Sequence, residues 1–216
     1  MDENTINPEN TLKSNSKIML FYEKNKKKLY LAISIILLFF ILVFFYLNNK
    51  NKKVQIISEN YITAKIYLAN GQKDEAKDIL KENIFLNHST YSTLSLFLII
   101  NDKLLTDEKE ISSLFDHILR NCKFTKELKE LLVFKKALFE SNYIEETQLL
   151  SSLKPLLNKN SLWKPHALLL LGDYYFNKNE SIKAKEFYAQ ILIIKNLSQD
   201  FYSKVKIQLA LLPDAS

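Results

Sequence analysis

Residues that interrupt regular structure are scarce in this chain of 216 residues, which contains two glycines and four prolines. A turn-rich β fold needs many such residues, so their scarcity excludes that class and favours helices. Cysteine occurs once, at Cys122, which excludes an internal disulfide and leaves a small apolar packing residue as the expected role. Two widely separated glycines, Gly71 and Gly172, cannot form a glycine-rich phosphate-binding loop.

Positive charge is unevenly distributed along the chain. Residues 1–53 hold nine lysines and four acidic residues, whereas the remaining 163 residues hold 21 basic and 20 acidic groups. Five of the six net positive charges therefore flank one segment, and the rest of the chain has no basic excess that would form a basic face. Because nucleic-acid binding requires a clustered basic surface, we expect none here.

A long apolar run, Leu29 to Leu47, carries no charged residue. As a helix of about 1.5 Å per residue it is about 28 Å long, close to the thickness of the hydrocarbon core of a bilayer. The alternative is a cleaved signal peptide, but the preceding segment is long and no small-residue cleavage site follows. We therefore predict an uncleaved transmembrane helix in a single-pass membrane protein.

Lysines on the two sides of this run predict its orientation. Six lie on the N-terminal side and three close by on the C-terminal side. The positive-inside rule then places the N-terminus in the cytoplasm and the large domain across the membrane. We predict a disordered cytoplasmic tail over residues 1–20, the anchor and its basic flanks over 21–53, and a helical domain over 54–216.

The third segment has apolar residues at helical spacing, which predicts an all-α fold. Phe201, Val205, Leu209 and Leu212 mark one helix face, and Phe124, Leu128, Leu131, Leu132 and Leu138 another. Polar breaks every 12–20 residues predict about eight helices, the first near 54–69. The breaks are Asn70-Gly71, Asn87-His88-Ser89, Asn101-Asp102, Asn121-Cys122, Ser141-Asn142, Asn158-Lys159-Asn160, Asn177-Lys178-Asn179 and Asn196. Pro155 is expected to kink or delay the helix around it.

Residues 165–198 fit the tetratricopeptide (TPR) pattern of a helical hairpin. The matching positions are Leu168, Leu171-Gly172, Tyr175, Ala184 and Tyr188. Gly172 and Ala184 would let two helices cross closely while the large residues fill the remaining space. The same frame on 57–90 selects Ala64, Tyr67, Ala76 and Leu80. We therefore predict a TPR-like α-solenoid after the transmembrane helix, with a non-repeating helical bundle as the alternative.

The first helices of such hairpins line a protein-binding groove. In the TPR frame the groove positions of the first hairpin are Ser58, Tyr61, Lys65, Leu68 and Ala69. Those of the last hairpin are His166, Leu169, Asp173, Phe176 and Asn177. Tyr61 and Phe176 would be apolar anchors, while Lys65 and Asp173 would select charge; the alternative is that each is an ordinary packed or solvated residue.

No pattern of catalytic residues or metal ligands is present in the sequence. His88, His117 and His166 lie far apart and have no metal-ligand spacing with Cys122. The acidic pairs Asp107-Glu108 and Glu145-Glu146 fall at predicted helix starts, where negative charge favours the helix dipole. We expect no enzyme activity, no cofactor, no metal and no small-molecule substrate; Trp163 is expected to pack in the core.

The basic flank, the anchor helix and the divergent TPR domain together resemble the YfgM-type ancillary subunit of the bacterial Sec translocon, whose TPR domain is shared with a cell-division coordinator. The resemblance covers residues 20–212, and its most specific stretch runs from Asn160 through Trp163-Lys164-Pro165 to Ala167, followed by Leu171-Gly172 and Ala184. It implies an inner-membrane protein with a periplasmic TPR domain that contacts the translocon and periplasmic chaperones. The Lys/Asn-rich composition and the weak middle repeats depart from the family pattern.

Three functions follow as hypotheses. The first is a membrane-anchored scaffold that binds other proteins as an ancillary translocon subunit linking it to periplasmic chaperones. The second is an adaptor for cell-envelope assembly or division. The third is an enzyme with a degenerate site, which no cluster of residues in the sequence supports.

Overall fold

Helices make up the regular structure of residues 8–158 and 161–213, the part of the chain that the computed structural model describes. They are α1 (Pro8–Ala69), α2 (Lys73–Phe85), α3 (Ser89–Asn101), α4 (Glu108–Asn121), α5 (Lys126–Glu140), α6 (Glu146–Leu153), α7 (Lys164–Asn177), α8 (Ser181–Leu192) and α9 (Gln199–Ala210), with a 3₁₀ turn over Lys154–Leu157. The described residues contain no strand. The predicted all-α class is therefore confirmed.

Helix α1 contains an apolar segment of membrane-spanning length. An 18-residue window in it has a mean hydropathy of 2.8 and no buried residue, and within the described residues α1 is the one helix long and apolar enough to cross a bilayer. The helix begins at Pro8, inside the tail that we predicted to be disordered. Proline suits a first helical position, and no glycine or proline interrupts the chain from there to Ala69, so helix propagates through the polar tail. Residues 1–7 of that tail lie outside the described residues.

The chain divides into two compact units, Met1–Ile56 and Ile57–Ser216. The first contains α1 up to Ile56, and the second contains the last turns of α1 with all later helices.

Short polar links separate the helices of this unit, close to the breaks that the sequence predicts. Asn87, Asn179, Asn196 and Gly71 adopt positive φ in these links, a conformation that asparagine and glycine tolerate better than other residues. The segment 54–69 is the end of α1, so eight further α-helices follow it in the described residues. Pro155 acts as predicted, because α6 ends at Leu153 and a 3₁₀ turn replaces its next turn.

Buried apolar residues form two clusters along the unit. One gathers side chains from the end of α1 to α5, including Ala64, Ala76 and Leu132. The other gathers side chains from α5 to α9, including Phe134, Ala137 and Val205. The predicted face of α9 packs on the second cluster. The predicted face of α5 is wrong as a buried surface: Leu132 is buried, but Leu128, in the first turn, and Leu138, near the last turn, are exposed.

Helices α7 and α8 approach closely at Gly172. A β-carbon at this position would overlap the ring of Tyr188, which is fully buried on α8. The Tyr188 hydroxyl donates a hydrogen bond of 2.7 Å to Asp173 Oδ1, which fixes the ring across the helix pair. The close crossing that we predicted at Gly172 is therefore present.

Candidate protein-binding groove

Three cavities on the second unit have lining residues in common. The first lies between α3, α4 and α5. Its volume is about 370 Å³. The walls are mainly apolar, because the rings of Phe97, Phe115 and Phe139 follow one another with centroids 6.3 and 6.1 Å apart. The remaining lining residues are Ile100, Asn101, Lys135 and Leu138. A cavity of this kind can receive an apolar side chain.

A second cavity, of about 380 Å³, lies between the end of α5 and α7. It is lined by Leu138, Ser141, Asn142, Leu170, Asp173, Tyr174, Asn177 and Lys178. Tyr174 is only 8% exposed, and its buried hydroxyl has no hydrogen-bond partner among the described residues. The Lys178 ammonium lies 4.5 Å from the centroid of the same ring. A buried hydroxyl beside a cation is suited to a ligand that accepts a hydrogen bond.

The third cavity, of about 390 Å³, lies between α5, α7 and α9. Its lining residues are Phe134, Leu138, His166, Leu169, Leu170, Asp173, Phe201 and Lys204. The His166 ring packs 5.0 Å from that of Phe201 and 4.9 Å from that of Trp163, which itself stacks on Phe134. Burial, and secondly the charge of Lys204, lower the pKa of His166 below its usual 6.5. The imidazole is therefore neutral at pH 7, and its buried Nδ1 has no partner in the described part of the chain.

Leu138 joins these cavities into one surface because it lines all three. Its side chain is 42% exposed, and Leu170 and Asp173 also line both the second and the third cavity. We call this surface, made of the residues that line the three cavities, the Leu138 groove. Its lining residues come from α3, α4, α5, α7 and α9, so it can contact several side chains of one ligand.

Positive charge predominates in the Leu138 groove. Lys135, Lys178 and Lys204 line it, against one carboxylate, Asp173. Asp173 is itself engaged, because it accepts the hydrogen bond from Tyr188, and burial together with this contact raises the pKa of Tyr188. The lysines therefore determine the charge that the groove offers to a ligand.

The comparisons with known proteins add no relative. No protein-family model, curated protein or solved structure matches the chain. The groove is therefore interpreted from its own residues.

Four of the predicted groove residues lie in the Leu138 groove: His166, Leu169, Asp173 and Asn177. The other residue predicted from the last hairpin, Phe176, is half-buried and packs against the second core cluster instead. The sequence frame therefore brings four of its five last-hairpin positions to one surface. Whether they bind a protein stays a prediction.

The predicted positions of the first hairpin line none of the three cavities. Tyr61 and Leu68 are half-buried against the first core cluster, and the Tyr61 ring lies 6.0 Å from that of Tyr91. Lys65 and Ala69 are exposed, and Ser58 is half-buried. Their role in a groove at the first hairpin stays a prediction.

Sequence reasoning missed Leu138, Tyr174 and Lys135. The TPR frame could not be laid on residues 89–158, so α3 and α5 received no groove positions. Tyr174 follows the frame position Asp173 and is not itself a groove position of the TPR frame. The sequence does contain one indication of this part of the groove: Lys135 and Leu138, three positions apart, place a lysine and an apolar residue together on the polar side of α5.

A buried acidic network between α4 and α5 is the other polar cluster of note. Glu140 is buried, accepts a short hydrogen bond from Ser112, and lies 3.5 Å from the Lys136 ammonium, which also pairs with Asp116 at 2.6 Å. Each charge has a partner, and removing one would leave another buried and uncompensated between the two helices. Within residues 8–158 and 161–213 no group of three or more histidine, cysteine and acidic residues could hold a metal ion.

Proposed function

We propose that this chain is a membrane-anchored scaffold whose helical domain binds segments of other proteins in the Leu138 groove. The observation that carries the proposal is the continuity of the three cavities through Leu138. Binding surfaces that cross several helices suit extended or helical peptide segments, which contact one helix after another. The groove has apolar walls for side chains and polar groups at its edges, the usual composition of a binding site.

We propose further that the domain is a TPR-like stack of helical hairpins. From α2 to α6 and from α7 to α9 each helix packs on the next, and α2 also contacts α4 as α5 contacts α7. Contacts between alternate helices are what stacked hairpins produce, because equivalent helices of neighbouring hairpins lie side by side. The ion pair of Lys81 with Glu110, at 2.5 Å, joins α2 to α4, and that of Lys183 with Glu146, at 3.2 Å, joins α8 to α6 in the same way.

In this proposal α1 anchors the domain in the inner membrane, with the N-terminus in the cytoplasm and the helical domain in the periplasm. The length and hydropathy of α1 support the anchor. The six lysines before Leu29, against three after Leu47, support the orientation. A reporter active only outside the cytoplasm, fused after Ser216, tests it; activity of a cytoplasmic reporter at that place would reverse the topology.

The partner we propose is the Sec translocon, together with periplasmic chaperones that receive emerging chains. The resemblance of residues 20–212 to YfgM-type subunits supports this assignment. A groove that accepts protein segments is compatible with it.

Site-specific photo-crosslinking in intact cells tests the scaffold and its partner together. A photoreactive amino acid replaces Leu138 in the groove, and in the matched control it replaces Ile182, which is 71% exposed on α8 and lines none of the three cavities. We expect protein adducts, including translocon subunits, from position 138 and few from position 182. Equal adduct patterns at the two positions, or no protein adduct at 138, would contradict the scaffold. Adducts only with wall-building or division proteins would replace the translocon by the adaptor function.

A further inference from the structure

The chemistry of the Leu138 groove indicates which protein segment it would bind, provided that the proposed scaffold function holds. The first indication is the Tyr174 hydroxyl. The residue is 8% exposed and lines the second cavity; its buried oxygen lies beside the Lys178 ammonium, which can only donate, so the hydroxyl proton has no acceptor among the described residues. Leaving a buried hydroxyl unpaired is unfavourable, so a ligand atom that accepts its hydrogen bond stabilises the complex.

The charge around this hydroxyl makes a carboxylate the favoured acceptor. Lys178 lies over the Tyr174 ring at 4.5 Å, and Lys135 and Lys204 line the neighbouring cavities. Residues 54–216 are almost neutral, with 21 basic and 20 acidic groups, so three lysines against one carboxylate among the lining residues is a local excess, which Glu145 and Glu146 reduce near Lys178 from outside the lining. Asp173 offsets only one of the three positive charges, and one of its oxygens already accepts the hydrogen bond from Tyr188.

The first cavity supplies the apolar part of the recognition. It offers the rings of Phe97, Phe115 and Phe139 beside Leu138, in a volume of about 370 Å³. Lys135 lies at the same cavity, so an apolar side chain there would have a cation beside it. A ligand that uses both features carries a bulky apolar residue next to acidic ones.

We propose that the Leu138 groove binds an acidic segment of a partner protein. A bulky apolar side chain of that segment enters the cavity between Phe97 and Phe139, and a nearby carboxylate accepts the hydrogen bond of Tyr174 beside Lys178. A polypeptide fits better than an anionic lipid. From α3 to α9 the groove has first an apolar cavity, then a polar one and then an aromatic one, and a peptide can offer a different side chain to each. An uninterrupted acyl chain would leave the polar cavity unpaired.

Peptide selection tests the proposal without assuming a partner. The full chain, in nanodiscs of uncharged phosphatidylcholine, is presented with a displayed library of random peptides, and binding of the selected peptides is then measured through the fluorescence of the single tryptophan, Trp163, beside the third cavity. We expect the selected peptides to share acidic residues next to Phe, Leu or Trp. Their affinity should fall as salt is raised, because the attraction to the lysines is screened.

Three matched changes locate the binding. Replacing Lys135, Lys178 and Lys204 by Glu should weaken binding about tenfold or more, whereas the same replacement of the exposed Lys123, Lys185 and Lys195 should not. Tyr174→Phe, which removes only the hydroxyl, should weaken it about tenfold. Leu138→Ser should weaken it strongly, and Ile182→Ser should not.

A change on the peptide side keeps the test valid if a protein variant misfolds. Converting the acidic residues of a selected peptide to their amides should cost about as much affinity as the triple Lys→Glu replacement. Selection of neutral or basic peptides, or equal losses in groove and control variants, would overturn the acidic ligand while leaving the scaffold to the crosslinking result. Failure to select any peptide would also overturn it. Phosphatidylglycerol vesicles that bind the wild type but not the Leu138 variant would make a lipid the occupant and equally overturn the inference.

Discussion

Replacing Gly172 by alanine places one methyl group against a ring that cannot move away. The new carbon would lie 2.5 Å from Tyr188 Cδ1 and 2.9 Å from Cζ, and closer still to Cε1. All three atoms belong to one rigid ring that is fully buried and is held at its hydroxyl by Asp173. Relief of the overlap therefore requires α7 and α8 to separate or the Tyr188 hydrogen bond to break.

The expected cost is the balance of three contributions. Overpacking costs about 1–3 kcal/mol, and breaking the buried hydrogen bond of Tyr188 would add about 1–3 kcal/mol. Alanine is favoured over glycine within a helix by about 1 kcal/mol, which offsets part of the loss. We expect Gly172→Ala to lower the free energy of unfolding by about 1–5 kcal/mol.

Urea unfolding of the full chain in detergent micelles measures this loss. Trp163 fluorescence reports the core cluster that contains Tyr188, and far-UV circular dichroism reports all helices. The decisive control is the same substitution beside Tyr188→Leu, whose shorter side chain leaves room for the methyl group. Gly172→Ala should then be neutral or slightly stabilising. An equal loss in both backgrounds would refute the close contact as the reason for glycine.

Further predictions concern other parts of the chain. Asn83→Ala should lower the free energy of unfolding by about 2–4 kcal/mol in the same urea assay, because it leaves the Ile57 carbonyl without the 2.9 Å hydrogen bond from α2. Since the pKa of His166 is lowered in the folded state, the unfolded state takes up a proton first as pH falls below 6.5, so stability should decline below that pH and level off once the folded state also protonates. His166→Gln should remove this slope, and an unchanged slope would assign it to other groups. Leu38→Arg with Phe39→Arg should cost about 6 kcal/mol of membrane insertion and move the chain into the carbonate-soluble fraction, whereas the wild type should stay in the pellet.

Local sequence was sufficient for the helices and for one close contact. Helices end near Asn70-Gly71 and Asn196, where Gly71 and Asn196 have positive φ and Asn70 lies in a turn. Asparagine and glycine favour such conformations through their own chemistry, so local sequence is enough to predict these ends. Gly172 could be paired with the return helix because the TPR frame fixes which positions of a hairpin face each other. The predicted apolar run in α1 needed no tertiary information.

The groove was only half predictable because a cavity depends on the neighbours of a residue. His166 and Asp173 were found from their place in the hairpin frame, but Leu138 on α5 belongs to no such frame. Its exposure results from how α3 and α7 pack on either side, which the periodicity of one helix does not contain. For the same reason the frame did not predict that Tyr61, a groove position of the first hairpin, packs against Tyr91.

Helix α5 lends side chains to both apolar clusters, with Leu132 in one and Phe134 and Ala137 in the other. Because α5 belongs to both clusters, it couples the unfolding of one cluster to that of the other. Helices α7 to α9 can open as a subglobal unit while the α2–α4 part stays protected, but loss of α5 exposes both. Amide hydrogen exchange should therefore resolve two tiers of protection, with the amides of α5 exchanging only in the slower one.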